Sequence, residues 1–330
     1  MTEPSLDFNR WNEPRRGVNA RRWVILSTGL RQLMRLRFFK LLMILAWTAG
    51  VLVAVAGFAF TQTLSEDGWL ARLAISAGPR PAAVMQAVSA LLLLYPDILV
   101  SGMFKAIFWA HSHIGLLLSL VALTILVPQL ITRDRSSQAL TIYLARPLTS
   151  RDYLIGKFGI IVGVLLALWT GPLLLGWLLS LLFAPDLVFA RYSLGAMSEA
   201  LAFNGICLVV LASIAFGVSA LGKTAASARL WWIGLWILMS IIAGHPNLPD
   251  WVRHASFSYD LKLMRDEVFS MDSVLTDAAE IMPMLNADLA SEMNQVSTFL
   301  GTDNTGGVVT ALAIMVIGSS LLFLRRIKPE

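Results

Sequence analysis

The longest uninterrupted apolar runs limit this chain most. Residues 38–60, FFKLLMILAWTAGVLVAVAGFAF, hold 23 residues with one charge. At 1.5 Å per residue a helix of about 20 residues crosses a hydrocarbon layer roughly 30 Å thick, and no shorter soluble-core helix needs such length. Comparable runs recur near 106–130, 156–183, 200–221, 227–244 and 307–324. No ten-residue alternating pattern of a membrane barrel is present. An all-α integral membrane protein with six transmembrane helices is therefore expected. Composition agrees: 57% hydrophobic, 14% charged, mean hydropathy +0.69.

The charges then orient the spans. With both termini on the cytoplasmic side, cytoplasmic segments carry 19 of the 26 Lys and Arg but six of the 21 Asp and Glu. Positive charge is retained on that side of a membrane, so the high pI of about 9.6 reflects orientation and not nucleic-acid binding. A multi-pass protein of the cell inner membrane follows. Counting 82–104 as a further span would place the basic stretch 128–158 outside. We therefore read 82–104, broken by Pro96 and Asp97, as an external or re-entrant helix, and 61–105 as an external segment.

The remaining chain falls into four parts. Residues 1–37 form a basic tail and an amphipathic helix with Trp23, Leu26, Leu30, Leu33 and Met34 at helical spacing, expected to lie on the inner membrane surface. Residues 38–244 hold five spans and the cytoplasmic loop 131–157. Residues 245–306 form an acidic external insert, whose apolar residues from Leu261 to Val296 recur every three or four positions and predict packed helices. Residues 307–330 give the sixth span and a basic tail. Gly159 and Gly163 allow another helix to approach span three closely. Trp231 and Trp232 suit an interfacial belt.

Several motifs invite a chemical reading. Gly217–Thr224 matches G-x-x-x-x-G-K-[ST] letter for letter, but it ends a membrane-length helix and another span follows at once. A phosphate loop needs a strand before it and a helix start after it, so this match is read as false and no enzyme activity is expected in this chain. His111 and His113, two apart, face different sides of a helix, and Met264, Met271, Met282, Met284 and Met293 share the apolar stripe of the insert. No metal site is expected from either set. Asp97 and Lys105 form a candidate ion pair in a pathway or a structural role. The one cysteine, Cys207, excludes an internal disulfide.

The stretch 128–158 carries Leu140, Tyr143 and Leu144 on one helical face, after Arg133, Asp134, Arg135 and Gln138 at its start. Arg146-Pro147 stops that helix, and Thr149 caps the next. This order of Thr132-Arg133-Asp134-Arg135, Gln138-Ala139-Leu140, Leu144-Ala145-Arg146-Pro147-Leu148-Thr149 and Tyr153-Leu154-Ile155-Gly156-Lys157-Phe158 resembles the permease subunit of type-2 ABC exporters, above all the branch with the permease for nitrous oxide reductase maturation. That family usually shows Arg-Glu at 133–134 and Gly-Thr-Leu at 138–140. The resemblance implies a coupling helix docking on an ATP-binding subunit through Arg133, Asp134, Arg135, Gln138, Leu140, Tyr143, Leu144 and Arg146. It also implies two copies of that ATPase, a second permease copy or close paralogue, and an elbow helix at the N-terminus. ATP and Mg would reside in the partner subunit, with no cofactor in this chain. An external accessory protein on 245–306 would fit a different use, as a membrane anchor or mechanotransmitting scaffold driven by the same ATPase.

Overall fold

The computed structural model describes residues 17–65, 68–132, 134, 150–281, 283, 287–300 and 305–327. All regular structure among them is helical. Six helical stretches are long and apolar enough to cross a membrane: Arg37–Leu64, Pro96–Leu130, Asp152–Leu182, Val188–Leu221, Ala225–Gly244 and Gly306–Arg325. They alternate in direction, so one set of ends carries Arg22, Lys157 and Lys223 (the basic end) and the other carries the described helices between 250 and 300 (the insert end).

In chain order the helices are α1 (Val18–Met34), α2 (Arg37–Thr61), α3 (Trp69–Ala77), α4 (Pro79–Leu94), α5 (Pro96–Val127), α6 (Ser150–Leu165), α7 (Gly171–Leu182), α8 (Val188–Leu221), α9 (Ala225–Gly244), α10 (Asp250–Arg253), α11 (Phe257–Val268), α12 (Met271–Ile281), α13 (Ala287–Leu300) and α14 (Thr305–Ile327). A π-helical turn, Leu166–Thr170, joins α6 to α7 within one span, and a second, Pro128–Thr132, follows α5. Each lies beside a proline, Pro172 or Pro128, which cannot donate to the helical ladder.

Helices α5 and α8 form the centre, and their inner faces supply Phe104, Phe108, Leu123, Phe203, Leu211 and Ala215, all at 1% exposure or less. Helix α2 packs on α7 through small residues. A side-chain carbon at Gly50 would lie 2.6 Å from the Pro172 carbonyl oxygen, and one at Gly57 would lie 2.6 Å from Ser180 Cβ. Without a hydrophobic difference between lipid and side chain, such close backbone approach is what holds helices together in a bilayer.

Three expectations change, and α1 gains a partner that the sequence did not show. The segment 82–104 is not one helix: α4 ends at Tyr95 and Pro96 opens α5, which continues into span two. Proline is favoured in the first turn of a helix, so Pro96 starts an element where the sequence reading saw an interruption. Helix α1, expected on the inner membrane surface, has a defined seat on the bundle. Its contacts with α6 advance in the same direction, Arg22 with Asp152, Ile25 with Gly156, Leu26 with Gly159 and Leu30 with Gly163, so it runs alongside the start of span three. Leu33 is buried there, while Trp23 and Met34 stay exposed. Trp231 is exposed as an interfacial residue would be, but Trp232 is fully buried and donates to the Leu120 carbonyl at 3.1 Å. Finally, part of the insert is embedded. Helix α11 wedges between α9, α14 and α8, and α12 packs on α5. Its stripe residues Leu261, Met264, Met271 and Ile281 are buried; Val296 in α13 is exposed.

Candidate functional site

The candidate site is a polar clasp at the basic end, built around the two flanks of 135–149. Asp134 is the member of the proposed coupling set that the structure describes; Arg133, Arg135, Gln138, Leu140, Tyr143, Leu144 and Arg146 lie outside the described residues. The π-turn at 128–132 delivers Asp134 against the first turns of α6. There Tyr153 donates its hydroxyl to Asp134 Oδ2 at 2.5 Å and to the Leu130 carbonyl at 3.1 Å. Lys157 Nζ lies 2.8 Å from the same Asp134 oxygen and 3.0 Å from the Gln129 carbonyl. Tyr153 and Lys157 are four apart, so one face of α6 presents both. Asp134 and Lys157 are 18% and 12% exposed, which shields their attraction from water better than at an open surface.

The other side of α6 holds α1. Arg22 donates Nε and Nη2 to Asp152 Oδ1 at 2.8 and 2.5 Å, and Asp152 is buried. Above this pair the glycines at 156, 159 and 163 receive Ile25, Leu26 and Leu30, and Gly29 of α1 receives Ile160. The expected close approach at Gly159 and Gly163 is thus made by α1. Thr132 completes the clasp by donating to the Ser219 carbonyl of α8 at 2.8 Å.

The phosphate-loop lookalike does not form a loop of that kind. Gly217–Leu221 is the last turn of α8, and its Gly217 lets Ser319 of α14 approach. Thr224 accepts from the Ser227 amide and caps α9 reciprocally with Ser227, so its hydroxyl is engaged in helix initiation.

Lys105 takes a counter-ion from another helix: Nζ lies 2.9 Å from Glu199 Oε1 of α8, while Asp97 is exposed in the first turn of α5. On one continuous helix eight residues mean about 12 Å of rise and most of a quarter turn, so Asp97 and Lys105 cannot meet. His111 is buried and His113 exposed, on different faces as expected. No group of three or more His, Cys, Asp or Glu that could hold a metal occurs among the described residues.

Two polar groupings escaped the sequence reading: one joins helices far apart in the chain, the other closes the corner between two successive short helices. Trp109 of α5 donates Nε1 to Asp266 Oδ1 of α11 at 2.7 Å, with the Arg265 guanidinium 5.4 Å over the indole. At the α10–α11 corner, His254 Nδ1 meets Asp260 Oδ1 at 2.6 Å, and Arg253 stacks over Tyr259 at 4.2 Å. Burial pushes the Asp260 carboxyl up to about 6, against the opposing pull of His254. An acidic residue on the buried side of the insert's stripe was the available signal. Comparisons with protein-family models, with curated proteins and with solved structures return no match.

Proposed function

We propose that this chain is the transmembrane permease subunit of an ABC exporter, in which a separate ATP-binding subunit grips the 131–157 segment at the cytoplasmic face. The observation that supports this reading is the clasp. Asp134 at the end of span two is tied by Tyr153 and Lys157 to the start of span three, and Arg22 ties α1 to the same turns. A force applied between residues 134 and 150 would therefore reach spans two and three and α1 as one body. In this reading the basic end faces the cytoplasm, two permease copies pair, and nucleotide and Mg stay with the ATPase. The helical geometry of Gly217–Leu221 and the capping role of Thr224 favour leaving nucleotide to that partner.

The test is co-purification of the full-length chain with an ABC ATPase expressed beside it, before and after the double substitution Arg133→Glu and Arg135→Glu. The expected result is release of the ATPase by the double variant. Unchanged retention would overturn the coupling role. A second reading, a membrane anchor or mechanotransmitting scaffold for an external complex, is favoured by the exposed acids Asp272, Asp277 and Glu280 on α12 and Glu292 on α13. Crosslinking of an added external protein to 245–306, with no solute transport by the reconstituted complex, would decide for it.

A further inference from the structure

Helix α11 is a short helix of mixed polarity, yet Asp260, Arg265 and Asp266 are each at 5% exposure or less inside a bundle of spans. Charged groups are rarely placed so without a role, because taking them from water costs more than a neutral core would. Among the described contacts, a hydrogen bond from Trp109 to Asp266, with Arg265 over the same ring, ties α11 to span two. Arg265 itself reaches Asp266 Oδ1 from Nε at 3.4 Å, at the long end of hydrogen bonding.

Below α11, toward the middle of the bundle, an aromatic series continues inward. Phe269, just past its end, meets Phe203 of α8 edge-on, and Phe203 meets Trp169 of the π-turn in the same way. Trp169 lies against Gly115 of α5, where any larger residue would collide with the indole. One turn from Gly115, on the same face, is His111. Trp169 Nε1 and His111 Nδ1 are both buried and have no hydrogen-bond partner. Beside them Asn204 donates to Thr170 Oγ1 at 3.3 Å. Buried polar atoms are nearly always satisfied, so two orphans facing one layer of the bundle call for a partner from outside the chain. The π-turn that places Trp169 and Thr170 is a local irregularity of a kind found often at functional sites.

We propose that His111, Trp169, Thr170 and Asn204 line a chamber for a small polar, hydrogen-bonding solute, and that α11 is the plug over it, released when Asp266 leaves Trp109. This rests on the transport reading. The groups offered are hydroxyl, amide, indole and imidazole, so recognition is by hydrogen bonds more than by ion pairing. The plugged state leaves the two orphans unsatisfied, and entry of water or solute satisfies them, which makes the element two-state.

Cys207, the only cysteine in the chain, is fully buried one turn from Asn204 and reports on access to this layer. The probe is a small, charged, membrane-impermeant methanethiosulfonate reagent applied to the full-length chain in vesicles of either orientation. Wild type is expected to label slowly from both sides. Trp109→Phe, which keeps the ring and removes the donor, and Asp266→Ala are each expected to speed labelling about tenfold from the insert side alone, as loss of one charge-assisted hydrogen bond predicts. The double substitution His111→Phe with Trp169→Phe, which removes the orphans and keeps the latch, is expected to label several-fold more slowly than wild type. The plug is overturned if both latch variants label at the wild-type rate, or if labelling rises equally from the two sides, as general loosening would cause. The chamber is overturned if the double variant labels faster than wild type. No ATPase is needed, so loss of the coupling role through Arg133 and Arg135 leaves this result standing.

Discussion

Alanine at each of the three glycines of α6 measures how tightly α1 is held to span three. At Gly156 a new methyl would lie 2.9 Å from both Cβ and Cγ2 of Ile25, a β-branched side chain close to its own backbone. Carbon atoms prefer 3.5–4.0 Å, so α1 must retreat by roughly 0.6–1 Å, and overpacking of this kind costs about 1–3 kcal/mol. Removing a helix-interior glycine returns ~1 kcal/mol, which leaves Gly156→Ala destabilising by up to about 2 kcal/mol. At Gly159 the nearest atom, at 2.6 Å, is Leu26 Cδ1, a terminal methyl that can rotate away, so the expected net cost is about 0–1 kcal/mol. At Gly163 the nearest contact is 3.3 Å, again a leucine tip, so the helix gain wins and the variant is expected to be stabilised by about 0.5 kcal/mol. Gly234 of α9, with nothing within 4 Å, is the control and should also gain by about 0.5 kcal/mol. Reversible unfolding in mixed micelles gives the four free energies, and proteolysis of the Arg-rich α1 reports its detachment. Equal costs at Gly156 and Gly163 would show that the packing of α1 on α6 does not contribute to stability.

In the clasp, Tyr153→Phe and Lys157→Met are expected to couple in a double-mutant cycle by about 0.5–1.5 kcal/mol, because both act on Asp134 Oδ2; additive losses would show that they do not share it. Lys105→Met should destabilise by about 1 kcal/mol and Asp97→Asn by less than ~0.5 kcal/mol, the difference between a half-shielded ion pair and an exposed acid; the reverse order in the same unfolding assay would return Asp97 to the pathway. Asp260 is an acid whose carboxyl is raised from 3.8 to about 6, so the fold favours its neutral form. That contribution is complete below pH ~4 and is lost as pH rises through about 6, a change of about 3 kcal/mol. Asp260→Asn should flatten this slope, seen as unfolding free energy against pH. Lys223→Ala, at an exposed turn, is expected to leave the ATPase rate of the reconstituted complex unchanged, and a large fall would revive nucleotide contact at Gly217–Thr224.

Apolar length and charge by themselves determined the number of spans and most of their limits. A stretch that must cross about 30 Å of hydrocarbon without water to satisfy its backbone has one solution, and each of the six runs reads alone. The glycines of α6 were legible as a site of close approach for a similar reason, since absence of a side chain is a local property. What approaches them is not local: that α1 and not another span seats there depends on Arg22 meeting Asp152, 130 residues away in the chain. The partners of Lys105 and Asp266 were decided in the same way, by which helix faces the bundle brings together. Pro96 shows the limit from the other direction, because a proline marks an irregularity in a sequence without saying whether a helix stops or starts. The burial of α11 is the largest such decision. Its acidic composition reads as an external surface, and only the tertiary structure, by placing Trp109 of span two against Asp266 and His254 of the preceding corner against Asp260, makes a polar helix a tolerable part of the interior.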